Sequence, residues 1–359
     1  MVSEERAGGS TAAERGAEPT PGEEPADSTP SPARPTRAAR PRALPLPEGV
    51  VARRVVVEVP ATTANLGAGY DTLALALDLK DRFEVDLLDE PGLELAVEGE
   101  GQGVLPAEPD NRFVVALETG LRWALGQVPP GVGWRVRMVN HIPLARGLGS
   151  SAAATVGGLI AADAFAGGRL NQRRLLTLCI ELEGHPDNAA AALLGGFVVT
   201  ALVEGRPETV RFDVPRDLRA VLFIPDVQLS TQAMRSALPR EVPHRDAVFN
   251  VGRVALGVAG LATGRYELLR AATEDRLHEP YRAEVYPALP RLVAAARAAG
   301  AIGACLSGSG STIIAFGDAL RQLTAIESAL LAAAAEADLA GVAQIVSPRN
   351  AGAVVIEAK

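Results

Sequence analysis

A chain of 359 residues with a formal net charge of −8, 48% apolar and 22% charged residues has an ordinary globular composition and room for two domains. The acidic balance argues against nucleic-acid binding as its main business, and no run of about 18 uncharged apolar residues offers a membrane span. The only lysines, Lys80 and Lys359, exclude the P-loop nucleotidases, which need G-x-x-x-x-G-K-[ST], and the protein kinases, which need a V-A-I-K strand. Only Lys80 could serve as a Schiff-base lysine.

Residues 1–48 hold nine prolines between Pro19 and Pro47 among Gly, Ala, Ser, Glu and Arg. Such a segment buries too little to offset its ordering entropy, which predicts a disordered tail. It lacks the apolar core of a signal peptide, and its glutamates are foreign to a transit peptide. Folded sequence begins near Val50, with strands predicted at Val51–Val59 and Arg82–Leu88, a helix at Asn111–Ala124 and a strand at Gly133–Val139. An Ala-rich helix, Ser150–Phe165, opens directly after Gly147-Leu148-Gly149, and helix Gln172–Leu182 and strand Gly195–Leu202 follow. The pattern restarts near Val210 with strand Ala220–Ile224 and a long helix through Asp246–Ala262. Helix Leu289–Ala299, strands Ala304–Leu306 and Thr312–Phe316 and helix Ala319–Ala335 complete it. The chain reads as two α+β halves meeting near residue 205. Cys179 and Cys305 stand apart in apolar contexts, as reduced core thiols of a cytoplasmic protein would, and the four histidines form no zinc spacing.

Three glycine- and serine-rich segments lie at strand ends. In Pro143 to Ala154 a strand enters a glycine turn and a helix starts behind Ser150 and Ser151. Glycine permits positive φ and close approach, and the helix N-terminus presents unpaired N–H groups and positive potential to an oligophosphate. Either serine can cap the helix or offer its hydroxyl to Mg²⁺; a plain capped helix is the alternative. The others are Pro60 to Asp71, with Asn65 and two glycines, and Ser307-Gly-Ser-Gly-Ser-Thr312. No G-x-G-x-x-G turn follows an early strand, which removes a dinucleotide-binding oxidoreductase.

In order and separation these segments resemble the three signature motifs of the GHMP kinases, over essentially the whole chain from residue 50. The resemblance implies an α+β fold with a ribosomal protein S5 domain 2-like, ATP-binding domain at 49–205 and a ferredoxin-like domain at 206–359. ATP would lie between them, on Pro143, Arg146, Gly147, Leu148, Gly149, Ser150, Ser151 and Ala152, closed by Gly308, Ser309 and Gly310. Further stretches resemble the homoserine kinase family: Thr63 to Asp71, Glu181-Leu-Glu-Gly-His-Pro-Asp-Asn188, Ser230 to Pro239 with Met234 in place of an alanine, and Glu279-Pro-Tyr-Arg282.

That likeness implies phosphorylation of the side-chain hydroxyl of L-homoserine by Mg·ATP, a step towards threonine. The acceptor would be held by Asn65, Asp71, His185, Asn188, Thr231, Arg235 and Arg282, the arginines suiting its carboxylate. Mg²⁺ would sit on Glu181 with Ser150 or Ser151, Glu183 being the competing carboxylate. Asp187, with Asn188, is the candidate catalytic group, as an orienting residue or weak base. The third motif has Ser311 where a proline is common, which predicts a looser loop. Two other readings stand beside this one: a GHMP kinase for mevalonate or a sugar, and a nucleotide-binding homologue without catalysis. A homodimer is compatible with the sequence.

Overall fold

The computed structural model describes residues 45–215 and 217–359, so the expected tail lies almost entirely outside the described residues. In chain order the first lobe holds β1 (Arg54–Ala64), β2 (Leu73–Leu88), β3 (Gly92–Gly99), α1 (Arg112–Leu125), β4 (Gly133–Asn140), α2 (Ser150–Phe165), α3 (Gln172–Glu183), α4 (Asp187–Leu194), β5 (Phe197–Val203) and β6 (Arg206–Phe212). The second holds β7 (Arg219–Pro225), α5 (Thr231–Ser236), α6 (His244–Thr263), α7 (Leu269–Ala272), α8 (Glu279–Val285), α9 (Leu289–Ala298), β8 (Gly303–Leu306), β9 (Ile313–Gly317), α10 (Leu320–Ala335) and β10 (Gly341–Val346). A final strand, β11 (Val354–Ala358), returns to pair with β1.

The first sheet has seven strands, ordered β11-β1-β2-β4-β3, with the hairpin β5–β6 joined to the start of β2. β2 serves two neighbours: Leu73–Leu75 pair with β5, and Arg82–Leu88 pair with β4. Its register with β1 shifts between Pro60 and Ala61, which bends the strand where it changes partner. Helix α1 carries the chain from β3 to the parallel strand β4. Helix α2 is apolar nearly all round and buried along most of its length, as a helix enclosed by protein should be. A Cβ on its Gly158 would stand 2.3 Å from the Phe113 carbonyl oxygen, so glycine is what allows α1 and α2 to pack this closely. Phe83 and Phe113 stack at 4.8 Å in this core.

The second sheet is antiparallel in the order β10-β7-β9-β8. Helices lie between β7 and β8 and between β9 and β10, the β-α-β-β-α-β arrangement expected of a ferredoxin-like lobe. Phe223, Ile313, Leu292 and Leu330 are central to its core. The division drawn at 205/206 falls inside the β5–β6 hairpin, so β6 and β11 belong to the first sheet although they lie beyond it in sequence. Both cysteines are buried and unpaired.

Candidate active site

Between the lobes opens a cavity of about 720 Å³, lined from both. Its first-lobe end starts where the chain leaves β4. There the buried Asp81 carboxylate accepts the N–H groups of His141 at 2.7 Å and Ile142 at 2.9 Å. Burial raises its pKa to about 6 against those two bonds, which act to lower it. The following turn carries positive φ at Ala145, Gly147 and Gly149. A Cβ on Gly147 would lie 2.0 Å from the Ser307 carbonyl oxygen, so this glycine lets the first-lobe turn nest against the 307–312 loop. Gly149 is the N-cap of α2 in the left-handed conformation, and no side chain caps the helix. The serines therefore do not cap it, and the first-turn N–H groups and the positive helix end remain at the cavity wall.

The carboxylate beside that helix end is Glu183. Its Oε1 accepts from Ser151 Oγ at 3.0 Å and Thr155 Oγ1 at 2.5 Å, and Arg112 Nη1 stands 3.5 Å away. Glu181, expected as the metal ligand, is exposed and does not line the cavity. Two residues apart on a helix means about 200° of rotation, so α3 can turn only one of the two towards α2. Among the described residues no cluster of three or more His, Cys, Asp or Glu side chains could hold a metal. One carboxylate and a hydroxyl beside an uncapped helix N-terminus do fit Mg²⁺, an ion that takes few protein ligands and completes its shell with waters.

At the other end Asp71 and Arg235 form a two-pronged ion pair, with Nη2–Oδ1 at 2.6 Å and Nη1–Oδ2 at 3.0 Å. Arg235 Nη1 also donates to the Tyr70 hydroxyl at 2.9 Å. Asn65 is buried with φ of 70° and spends both ends of its amide on the protein. Its Nδ2 donates to Gly308 O at 2.7 Å and its Oδ1 accepts from Asp71 N at 3.0 Å. Asn65 thus holds Asp71 in place at this end of the cavity. Arg282 is 1% exposed, and among the described residues no carboxylate lies within ion-pair distance of it. Burial lowers its pKa. A guanidinium in that setting is short of an anion, and it lies on the cavity wall.

His185, Asp187 and Asn188 sit between the two ends. Asp187 is buried, and its Oδ1 accepts from Asn188 N at 2.7 Å and lies 3.2 Å from His185 Nδ1. This hydrogen bond with Asp187 raises the His185 pKa. Asn188 Oδ1 accepts from Thr62 Oγ1 at 2.7 Å. Thr231 Oγ1 is 3.2 Å from Ser309 Oγ. The 307–312 loop is not loose. Ser307 Oγ bonds Thr63 and Gly147, Gly308 N bonds Ala64 O, and Ser311 Oγ donates to Val227 O. Buried serine hydroxyls supply the tethering expected of the missing proline.

Of the sequence-predicted residues, the cavity gathers Pro143, Arg146, Gly147, Leu148, Gly149, Ser150, Ser151, Ala152, Gly308, Ser309, Asn65, Asp71, His185, Asp187, Asn188, Thr231, Arg235 and Arg282. Gly310 is outside; its N–H closes the turn onto Ser307 O at 2.8 Å. Arg146 lines the cavity, but its guanidinium is bonded to the carbonyls of Leu144, Pro225 and Asp226, so it ties the lobes together rather than reaching for a phosphate. Sequence reasoning passed over Arg112, Asp81, Thr62 and the Tyr70 hydroxyl. A charged residue opening a helix after Pro-Asp-Asn was the only available signal for Arg112.

Residues 111–196 match the family model "GHMP kinases N terminal domain" and residues 258–336 match "GHMP kinases C terminal". The chain is similar to the homoserine kinase of Corynebacterium diphtheriae, 47% identical over 279 residues, covering 76% of this chain and 88% of that one. It is also similar to that of Moorella thermoacetica, 42% identical over 301 residues, covering 84% and 99%. The crystal structure of homoserine kinase from Cytophaga hutchinsonii superposes with a TM-score of 0.77 at 29% identity, over 85% of this chain and 98% of that one. Mevalonate kinase of L. major shares the fold at 15% identity and a TM-score of 0.60.

Proposed function

The chain belongs to the homoserine kinases of the GHMP kinase family, and from that premise we propose that it transfers the γ-phosphate of ATP to the side-chain hydroxyl of L-homoserine. The observation that carries the acceptor is Arg282, a buried guanidinium with no carboxylate partner among the described residues, on the cavity wall beside the Asp71–Arg235 pair. An amino-acid alcohol brings one carboxylate and one ammonium. Arg282 takes the carboxylate, and the free lone pairs of Asp71 take the ammonium. A neutral sugar would leave Arg282 without an anion, and mevalonate, a carboxylate without an ammonium, would leave the lone pairs of Asp71 not used by Arg235 unmatched.

ATP is the second substrate, and the uncapped N-terminus of α2 with the Gly147–Gly149 turn is suited to its phosphates. Glu183 and Ser151 would hold Mg²⁺. Bound there, the ion supplies neutralisation of phosphate charge. Phosphoryl transfer asks little covalent chemistry of the protein, so alignment dominates. Asp187 is anchored through Oδ1 to the Asn188 N–H and to His185, which supports an orienting role for it. Among the described residues no lysine lines the cavity to assist a base. The product, O-phospho-L-homoserine, would serve threonine synthesis. No helix among the described residues is long and apolar enough to cross a membrane. The two buried, unpaired cysteines support a cytoplasmic location.

The test is ADP release with Mg·ATP and L-homoserine, against mevalonate, galactose, L-serine and no acceptor. Turnover with homoserine far above the rest is expected. Turnover confined to another alcohol would overturn the acceptor assignment, and ATP binding without turnover would favour a non-catalytic homologue.

A further inference from the structure

His278 lies behind the acceptor end, fully buried and off the cavity wall. It precedes α8, one helical turn before Arg282. Its Nε2 is 2.7 Å from the Gly67 carbonyl oxygen; a carbonyl only accepts, so Nε2 carries the proton. Its Nδ1 is 3.1 Å from Arg282 Nη1; a guanidinium only donates, so Nδ1 is the unprotonated acceptor. The two bonds together specify one neutral tautomer. Burial lowers the pKa of the ring, in keeping with an acceptor nitrogen that must stay unprotonated.

The consequence falls on Arg282. Both hydrogens of Nη1 are taken, one by His278 and one by Gly308 O at 2.9 Å. Nε points at Met234 O at 3.5 Å. The Tyr70 ring lies 5.2 Å from the His278 ring and 5.4 Å from Arg282 Cζ, bracketing both groups. Only the Nη2 edge is left for a ligand. We infer that His278 is a positioning residue, which fixes the guanidinium of Arg282 so that its Nη2 edge meets the acceptor's carboxylate and which ties that orientation to the turn carrying Asp71. This rests on reading Arg282 as the carboxylate partner.

The experiment uses the full-length enzyme and measures KM for L-homoserine and for ATP separately. H278F keeps a ring against Tyr70 and removes both nitrogens; H278Q restores one donor and one acceptor. H278F is expected to raise the homoserine KM about tenfold or more, as loss of a bond to a charged group should, with the ATP KM within about twofold. H278Q should recover most of the loss. On an R282M background H278F should add almost nothing, because the coupling partner is gone. Should H278F not fold, H278M carries the same comparison. An unchanged homoserine KM, equal rises in both KM values, or additive effects of H278F and R282M would each overturn the inference. A wild-type enzyme inactive on homoserine would instead overturn the assignment of the acceptor, before any variant is compared.

Discussion

Ser151 Oγ lies 3.0 Å from Glu183 Oε1, joining the first turn of α2 to the last turn of α3. The contact sets a hard oxygen pair at the uncapped helix end, where both an anion and its counter-ion belong. Glu183→Gln should therefore lower kcat by about a hundredfold or more and weaken Mn²⁺ binding measured by paramagnetic titration in the presence of an ATP analogue. Glu181→Gln, on the exposed side of α3, should leave both within about twofold. Equal losses in the two variants would show that the metal is held elsewhere.

Asp187 separates two mechanisms. As an orienting group it needs its hydrogen bonds with Asn188 N and His185 more than its charge. Asp187→Asn retains an acceptor, and kcat is expected to stay within about tenfold of wild type with little change in its pH profile. A fall of about a thousandfold, with loss of the acidic limb of that profile, would mark a base instead.

The Asp71–Arg235 pair is about one-third exposed on each side, 32% and 37%, so it contributes no more than about 1 kcal/mol to stability. Its work is in binding. Arg235→Ala should shift Tm only slightly, while the homoserine KM rises about ten- to a hundredfold. Arg235→Lys should restore little, because an ammonium cannot reproduce the two-pronged contact. A large drop in Tm with an unchanged KM would make the pair structural.

Asp81 gives a pH signature. Its pKa is raised from 3.8 to about 6 in the fold, so the folded state holds the proton more tightly than the unfolded one. The stability it contributes is present below about pH 4 and is lost as pH rises through 6. That shift corresponds to roughly 3 kcal/mol between the two limits. Asp81→Asn keeps an acceptor for His141 and Ile142 and cannot ionise. Its stability relative to wild type, from urea unfolding at pH 4 and pH 7, should rise by up to that amount at the higher pH. A pH-independent difference would contradict the raised pKa.

Residues close in sequence decided much of this protein. The β-branched run of β1, the apolar α2 behind a glycine turn, and the glycine- and serine-rich loops are legible because propensity, capping and positive φ are properties of near neighbours. The edge strand β3 was passed over although Leu93, Leu95 and Val97 alternate with exposed positions and pack on the core, and β11 was not legible because its partner β1 lies at the other end of the folded chain. The site divides in the same way. Its loops could be located from sequence, and so could the arginines, but not what each side chain holds. Whether Glu181 or Glu183 faces α2 depends on the rotational setting of α3 against its neighbour. That Asp71 engages Arg235, 164 residues away, and that Asn65 and Arg282 meet at the Gly308 carbonyl, depends on how the two lobes close. Those pairings are packing outcomes, and only the tertiary structure could decide them.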